Sequence, residues 1–135
     1  MIINGKKHFT NIGGNCVSKN IIYGLKCRKC GVWYIGETGD ELHIRLNNHR
    51  SMTKKVLGGA KIDESKNDCG ASIHFGQKGH NFDKDAEVYI LEQGNWKNWR
   101  ERRQKKSYYI CKFKTMVPTG MNKSAGSESH FYPFL

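Results

Sequence analysis

The sequence has no apolar run near the roughly 18 residues that a membrane span needs, and no secretory apolar segment opens it. An intracellular protein or an excised domain is therefore expected. Proline is scarce, at 2 residues, while glycine reaches 15, so numerous loops are expected. Acidic residues are few, 12 against 23 Lys and Arg, which leaves a formal charge of +11. A charge of that size on a small domain excludes an ordinary neutral surface and favours a polyanion, most often nucleic acid. A solvated basic face or an anionic membrane surface are the plainer alternatives. The 5 cysteines are odd in number and unevenly spaced, which argues against a disulfide scaffold and for a metal site in a reducing compartment. Apolar residues make up 37% of the 135, enough for one modest core and one domain.

The chain divides into a polar lead-in over 1–19, a core over 20–122 and a polar tail over 123–135 whose last six residues are apolar enough to dock. The lead-in reads as extended, with room for a short edge strand. Residues 21–25 and 32–35 are rich in β-branched and aromatic side chains and read as two strands joined by a long turn. Thr38 and Glu41 fit a capping box, so a helix is predicted from there to just before Gly58 and Gly59. Leu42, Leu46 and His49 share one flank of it. Arg45 and His49, four residues apart, project together. Residues 58–85 read as irregular. A third strand is expected over 86–92 and a helix from Trp96 to about Phe113, with Trp99, Lys106, Ile110 and Phe113 on one face. Pro118, Thr119 and Gly120 end that region. The resulting fold class is α/β, a mainly antiparallel three-stranded sheet flanked by helices.

Cys27 and Cys30 occupy the turn between the first two strands at a spacing that grips one zinc ion. His74 and His80 could complete a Cys2His2 set, although their separation is at the wide end for such a pair. A pair of plain thiols with two loop histidines, a redox CxxC, and Cys16 or Cys69 in place of either histidine all fit the spacing too. Tyr23 and Tyr34 stand one on each strand, where tyrosines usually pack with the hydroxyl at the rim. Beside Arg45 and His49 the pair gains another meaning. A guanidinium can hold a phosphate ester while phenol or imidazole handles protons.

These motifs resemble the GIY-YIG nuclease family. Ile21-Ile22-Tyr23 stands loosely at the first motif and Tyr34-Ile35-Gly36 matches the second without change. The nearest likeness is to the endonuclease domain of Penelope-like retroelements. It extends through Cys27, Cys30, Arg45, His49, His74, His80 and the YYICKFKTMVPTGMN stretch, from about Cys16 to Asn122. The resemblance implies a small GIY-YIG fold with a zinc-binding hairpin turn, and a nickase acting on DNA with Mg²⁺ or Mn²⁺. It implies Tyr23, Tyr34, Arg45 and His49 as catalytic residues, Asn122 as a brace, and Cys27, Cys30, His74 and His80 as structural Zn²⁺ ligands. It further suggests a nuclear location and a reverse transcriptase domain in the parent protein, and no membrane partner.

The family's metal-binding glutamate falls on Lys106. A carboxylate binds a divalent ion, whereas an ammonium repels it and has no lone pair to offer. Glu101, about 140° around the helix, does not reach the same point. Lys106 therefore reads as an engineered inactivation or a natural loss, and a non-catalytic zinc-stabilised DNA-binding module is the rival reading. Lys97, Arg100, Arg102, Arg103 and Lys105, interleaved with Trp96 and Trp99, suit contact with the phosphate backbone.

Overall fold

A computed structural model describes residues 2–7, 14–63 and 69–125. The apolar end of the tail, 130–135, lies outside the described residues. The chain forms β1 (Ile2–Ile3), β2 (Lys6–Lys7), β3 (Ile21–Cys27), β4 (Trp33–Thr38), α1 (Leu42–Leu57), α2 (Gly70–Phe75), α3 (Phe82–Asp85), β5 (Ala86–Gln93) and α4 (Trp99–Phe113). The predicted α/β class holds: β3, β4 and β5 make a three-stranded antiparallel sheet in the order β4-β3-β5, with helices on both faces. The strand bearing Tyr23 is thus the central one. No described helix is long and apolar enough to cross a membrane.

Strand alternation sorts the core into two layers. Ile21, Tyr23, Leu25 and Cys27 of β3 and Tyr34 of β4 point to one face, where Leu42 of α1, Ala71 and Phe75 of α2 and Phe82 of α3 cover them. Ile22, Trp33, Ile35 and Leu91 point to the other, against Ile3 and against Tyr109, Ile110 and Phe113 of α4.

Two helix starts differ from expectation. Thr38 is not a helix cap: it still pairs with Ile21 in the sheet, and its hydroxyl accepts from the Asp40 amide at 3.1 Å in a local turn. Glu41 occupies the cap position without a side-chain cap bond. The orphan amides of the first turn are taken up by the lead-in, Leu42 N–H by the Ser18 carbonyl at 3.0 Å and His43 N–H by that of Cys16 at 2.9 Å. At the other helix, Asn98 rather than Trp96 marks the start, accepting from the Glu101 amide at 3.0 Å, while the Glu101 carboxylate accepts from Lys97 N–H at 3.2 Å. Glu101 is therefore occupied in capping. Trp99 lies outside the buried face of α4: it is 49% exposed, whereas Ile110 and Phe113 are buried and Lys106 is half-buried.

Residues 58–85 are less irregular than expected, since they contain α2 and α3. Both are too short to show a periodicity. In the lead-in, Asn4 and Gly5 take the left-handed backbone of a tight hairpin between β1 and β2. Asn4 Nδ2 donates to the Phe113 carbonyl at 2.6 Å, so this small hairpin closes the end of α4.

After α4 the chain returns along the outer side of β4. Met121 N–H donates to the Trp33 carbonyl at 2.8 Å. Fully buried Asn122 accepts from Ile35 N–H on Oδ1 at 2.9 Å and donates from Nδ2 to the Ile35 carbonyl at 2.9 Å. Thr115 Oγ1 donates to the same Oδ1 at 2.7 Å.

Candidate functional site

Two groups of side chains meet the chemical expectations, one at each end of the β3–β4 hairpin. At the first, Tyr23 lies across Gly36, its ladder partner on β4. A Cβ at Gly36 would land on the Tyr23 ring, so the glycine of the YIG triplet makes room for the tyrosine of the neighbouring strand. Tyr23 Oη and His49 Nε2 are 2.6 Å apart. The Tyr34 ring stands edge-on to His49 with centroids 5.3 Å apart, and the two tyrosine rings are 6.4 Å apart. Arg45, one turn before His49 on α1, acts electrostatically on Tyr23. Four residues from three elements thus converge.

The electrostatics of this cluster favour neutral rings. Burial pushes the Tyr23 phenol far up, Arg45 opposes it, and Tyr34 and Glu37 push the same way as burial. Burial, and then Arg45, hold His49 well below the usual imidazole range. The Tyr23 hydroxyl and His49 Nε2 share one hydrogen bond, while the buried Nδ1 of His49 has no hydrogen-bond partner. Tyr23, Tyr34 and His49 are all essentially inaccessible, so a phosphate reaches them only if rim groups such as half-buried Arg45 move.

A pH dependence follows from His49. Its folded pKa is depressed, so the unfolded chain binds the extra proton first, and stability is full above about 6.5, the free imidazole value. It should fall as pH drops from there towards the lower folded pKa. Burial and His80 depress His74 with the same sign. Thermal melts from neutral to mildly acidic pH should therefore steepen in the parent relative to a His49→Gln variant, the difference isolating His49. Parallel curves would show that His49 is not held neutral.

Lys106 is on α4, whose Tyr109, Ile110 and Phe113 pack on the sheet face opposite Tyr23 and Tyr34. The edge strand β4 carries residues of both faces. There Glu37, two residues after Ile35 and so on the α4 face, forms ion pairs with Arg102 and, at 3.8 Å, with Arg103. Lys106 follows these arginines by one helical turn on the same flank. Sequence reasoning missed Glu37. Its strand parity with Trp33 and Ile35 was the available signal.

At the second group, Cys27, Cys30, His74 and His80 come together, with one donor atom from each lying within 4.8 Å of all the others. Neither Cys16 nor Cys69 belongs to this cluster. The ligand–ligand edges of a tetrahedral zinc centre are about 3.3–3.8 Å, so a contraction of about 1 Å closes the set. Cys30 Sγ is already 3.2 Å from His80 Nε2, and the buried Nε2 of His74 has no hydrogen-bond partner. Partial desolvation and then the neighbouring Cys27 thiol raise Cys30, while burial and then His80 lower His74. Such shifts arise where ligands crowd without a cation between them, and a dication would reverse the thiol's. The group can therefore hold a metal ion such as zinc. The surrounding links are local: Lys29 bonds the Gly79 carbonyl and lies 3.9 Å from Asp85, and Asp85 Oδ2 accepts from Asn81 N–H at 2.7 Å.

The basic residues at and before α4 divide. Arg102 is half-buried against Glu37, and Lys105 lies 3.7 Å from Glu92. Lys97, Arg100 and Arg103 remain exposed. No family model, curated protein or solved structure matches the chain.

Proposed function

We propose that the chain is a GIY-YIG-type DNA endonuclease domain of the kind found in Penelope-like retroelements, with its catalytic metal site disabled by Lys106. The observation that carries this reading is the convergence of Tyr23, Tyr34, Arg45 and His49, with Tyr23 Oη 2.6 Å from His49 Nε2. Arg45 binds the scissile phosphate and offsets its growing charge. Tyr23 takes the proton of the attacking water while its own proton passes to His49 in the same step, so no free phenolate has to form beforehand. Tyr34 orients that water. Asn122 holds β4, and through it Tyr34 and Gly36, in place. The Cys27, Cys30, His74 and His80 set holds structural zinc, tying the hairpin turn to the loop after α2.

The residues present do not fit a catalytic Mg²⁺ or Mn²⁺. Lys106 offers no lone pair, and Glu37 is committed to Arg102 and Arg103. Inactivity as written is therefore part of the proposal. The test is nicking of supercoiled plasmid by the chain as it stands and by Lys106→Glu with Mg²⁺. A Glu variant that binds DNA but leaves plasmid intact sinks the nuclease reading. The second reading, a non-catalytic zinc-stabilised DNA-binding module, is favoured by the full burial of Tyr23 and would then stand.

A further inference from the structure

Trp99 is the one large aromatic side chain reported as exposed among the described residues. It opens α4, and its indole is flanked by two guanidinium groups, Arg103 at 4.6 Å and Arg100 at 5.3 Å from the ring centroid. The other tryptophans are engaged elsewhere: Trp33 is buried in the sheet, and the Trp96 indole N–H donates to the Asn20 carbonyl at 3.0 Å. A half-exposed indole beside two guanidinium groups offers a ring and positive charge together to an incoming partner. The charge around it selects an anionic one, and the flat ring selects a flat group.

We propose that Trp99 is a stacking platform for an unpaired base of a DNA strand, with Arg100 and Arg103 on the adjoining phosphates. This rests on the DNA reading above and gives it a substrate preference. Every base has a π-face, and an aromatic ring beside cationic side chains is how single strands are held without sequence readout. A paired base in a duplex keeps both faces in its own stack and leaves none for Trp99. Arg103 is also drawn to Glu37 at 3.8 Å, so the more distant Arg100 is the group that an incoming base displaces.

The placement along α4 matters. Trp99, Arg103 and Lys106 succeed one another by four and then three residues, which keeps them on one flank. Trp99 and Lys106 are about 10 Å apart along the axis. That flank reaches the β4 edge at Glu37, on the strand that also carries Tyr34. An unpaired nucleotide on Trp99 would thus sit only a short stretch of strand from a phosphate at that edge. DNA with an unpaired segment beside the contact point, such as a gap, flap or bubble, is the substrate class this geometry selects.

The experiment is equilibrium binding of the full chain, unaltered at Lys106, to a labelled oligothymidine strand and to a hairpin duplex of equal nucleotide count at one salt concentration. Trp99→Ala should weaken strand binding about ten-fold and leave duplex binding nearly unchanged. Trp99→Phe should restore most of the strand affinity, since it keeps a ring. Strand binding should also quench the parent's tryptophan emission, and that quench should vanish in Trp99→Phe. Equal weakening of strand and duplex, no weakening of either, or a quench that survives in Trp99→Phe overturns the proposal. Its fate is separable from that of the nuclease reading. An inert Lys106→Glu chain with Trp99-dependent strand binding removes only the latter, and a nicking Lys106→Glu chain whose strand binding ignores Trp99 removes only the former.

Discussion

Lys106→Glu is expected to turn a chain that leaves supercoiled plasmid intact into one that nicks it in the presence of Mg²⁺. The argument is one of charge and lone pairs. An ammonium on that flank of α4 repels a divalent ion, and Glu37, paired with the arginines one turn earlier on the helix, is neutralised by Arg102 and Arg103. A glutamate offers an acceptor oxygen where none is free. Adding Tyr23→Phe to the Glu variant should then cost about a hundred-fold or more in rate, because it removes the hydroxyl that would relay the water's proton to His49, 2.6 Å away. The ring and its packing across Gly36 are kept, but buried His49 Nε2 loses its partner, so the thermal midpoint should fall by only a few degrees while the rate collapses. Nicking that persists without the Tyr23 hydroxyl would leave proton transfer to another group and dissolve the role assigned here.

The second large effect concerns metal removal. Protein prepared without affinity-tag metal should carry one zinc per chain by mass spectrometry, and stripping it should lower the thermal midpoint by roughly ten degrees or more. Of the ligands, Cys27 is a poor probe, since it is also buried in the core layer of Tyr23. Cys30 is exposed, so Cys30→Ser removes little packing. A drop of several kcal/mol in that variant, on the scale of about 3 kcal/mol, would report the metal rather than a cavity. Metal-free parent protein with an unchanged midpoint would sink the zinc assignment.

Much of this arrangement was legible in residue order alone. The strands around Tyr23 and Tyr34 announce themselves because β-branched and aromatic side chains crowd there. Cys27, Cys30, His74 and His80, brought together from two distant segments, were one of several ligand sets that spacing allowed, and the family resemblance singled them out. The start of α1 was misread because Thr38 satisfies its own turn, while the helix amides are capped by backbone carbonyls of Cys16 and Ser18, which carry no residue signature. The short helices α2 and α3 give no period to detect. The deeper gap concerns Lys106. Helical spacing placed it on a flank with Ile110, but which sheet face α4 would cover is decided by the crossover after β5, and that put the tyrosines on the far side.

Asn122 carries a consequence for how variants at this site are interpreted. By answering both the N–H and the carbonyl of Ile35, its amide imitates a fourth strand one residue long. It is a stopper: β4 would otherwise offer those groups as a template for another chain's backbone. A side chain expected to serve catalysis therefore also keeps the sheet from growing. Asn122→Ala added to a nicking Lys106→Glu chain can abolish nicking through self-association, so its state in solution has to be known before its chemistry can be interpreted.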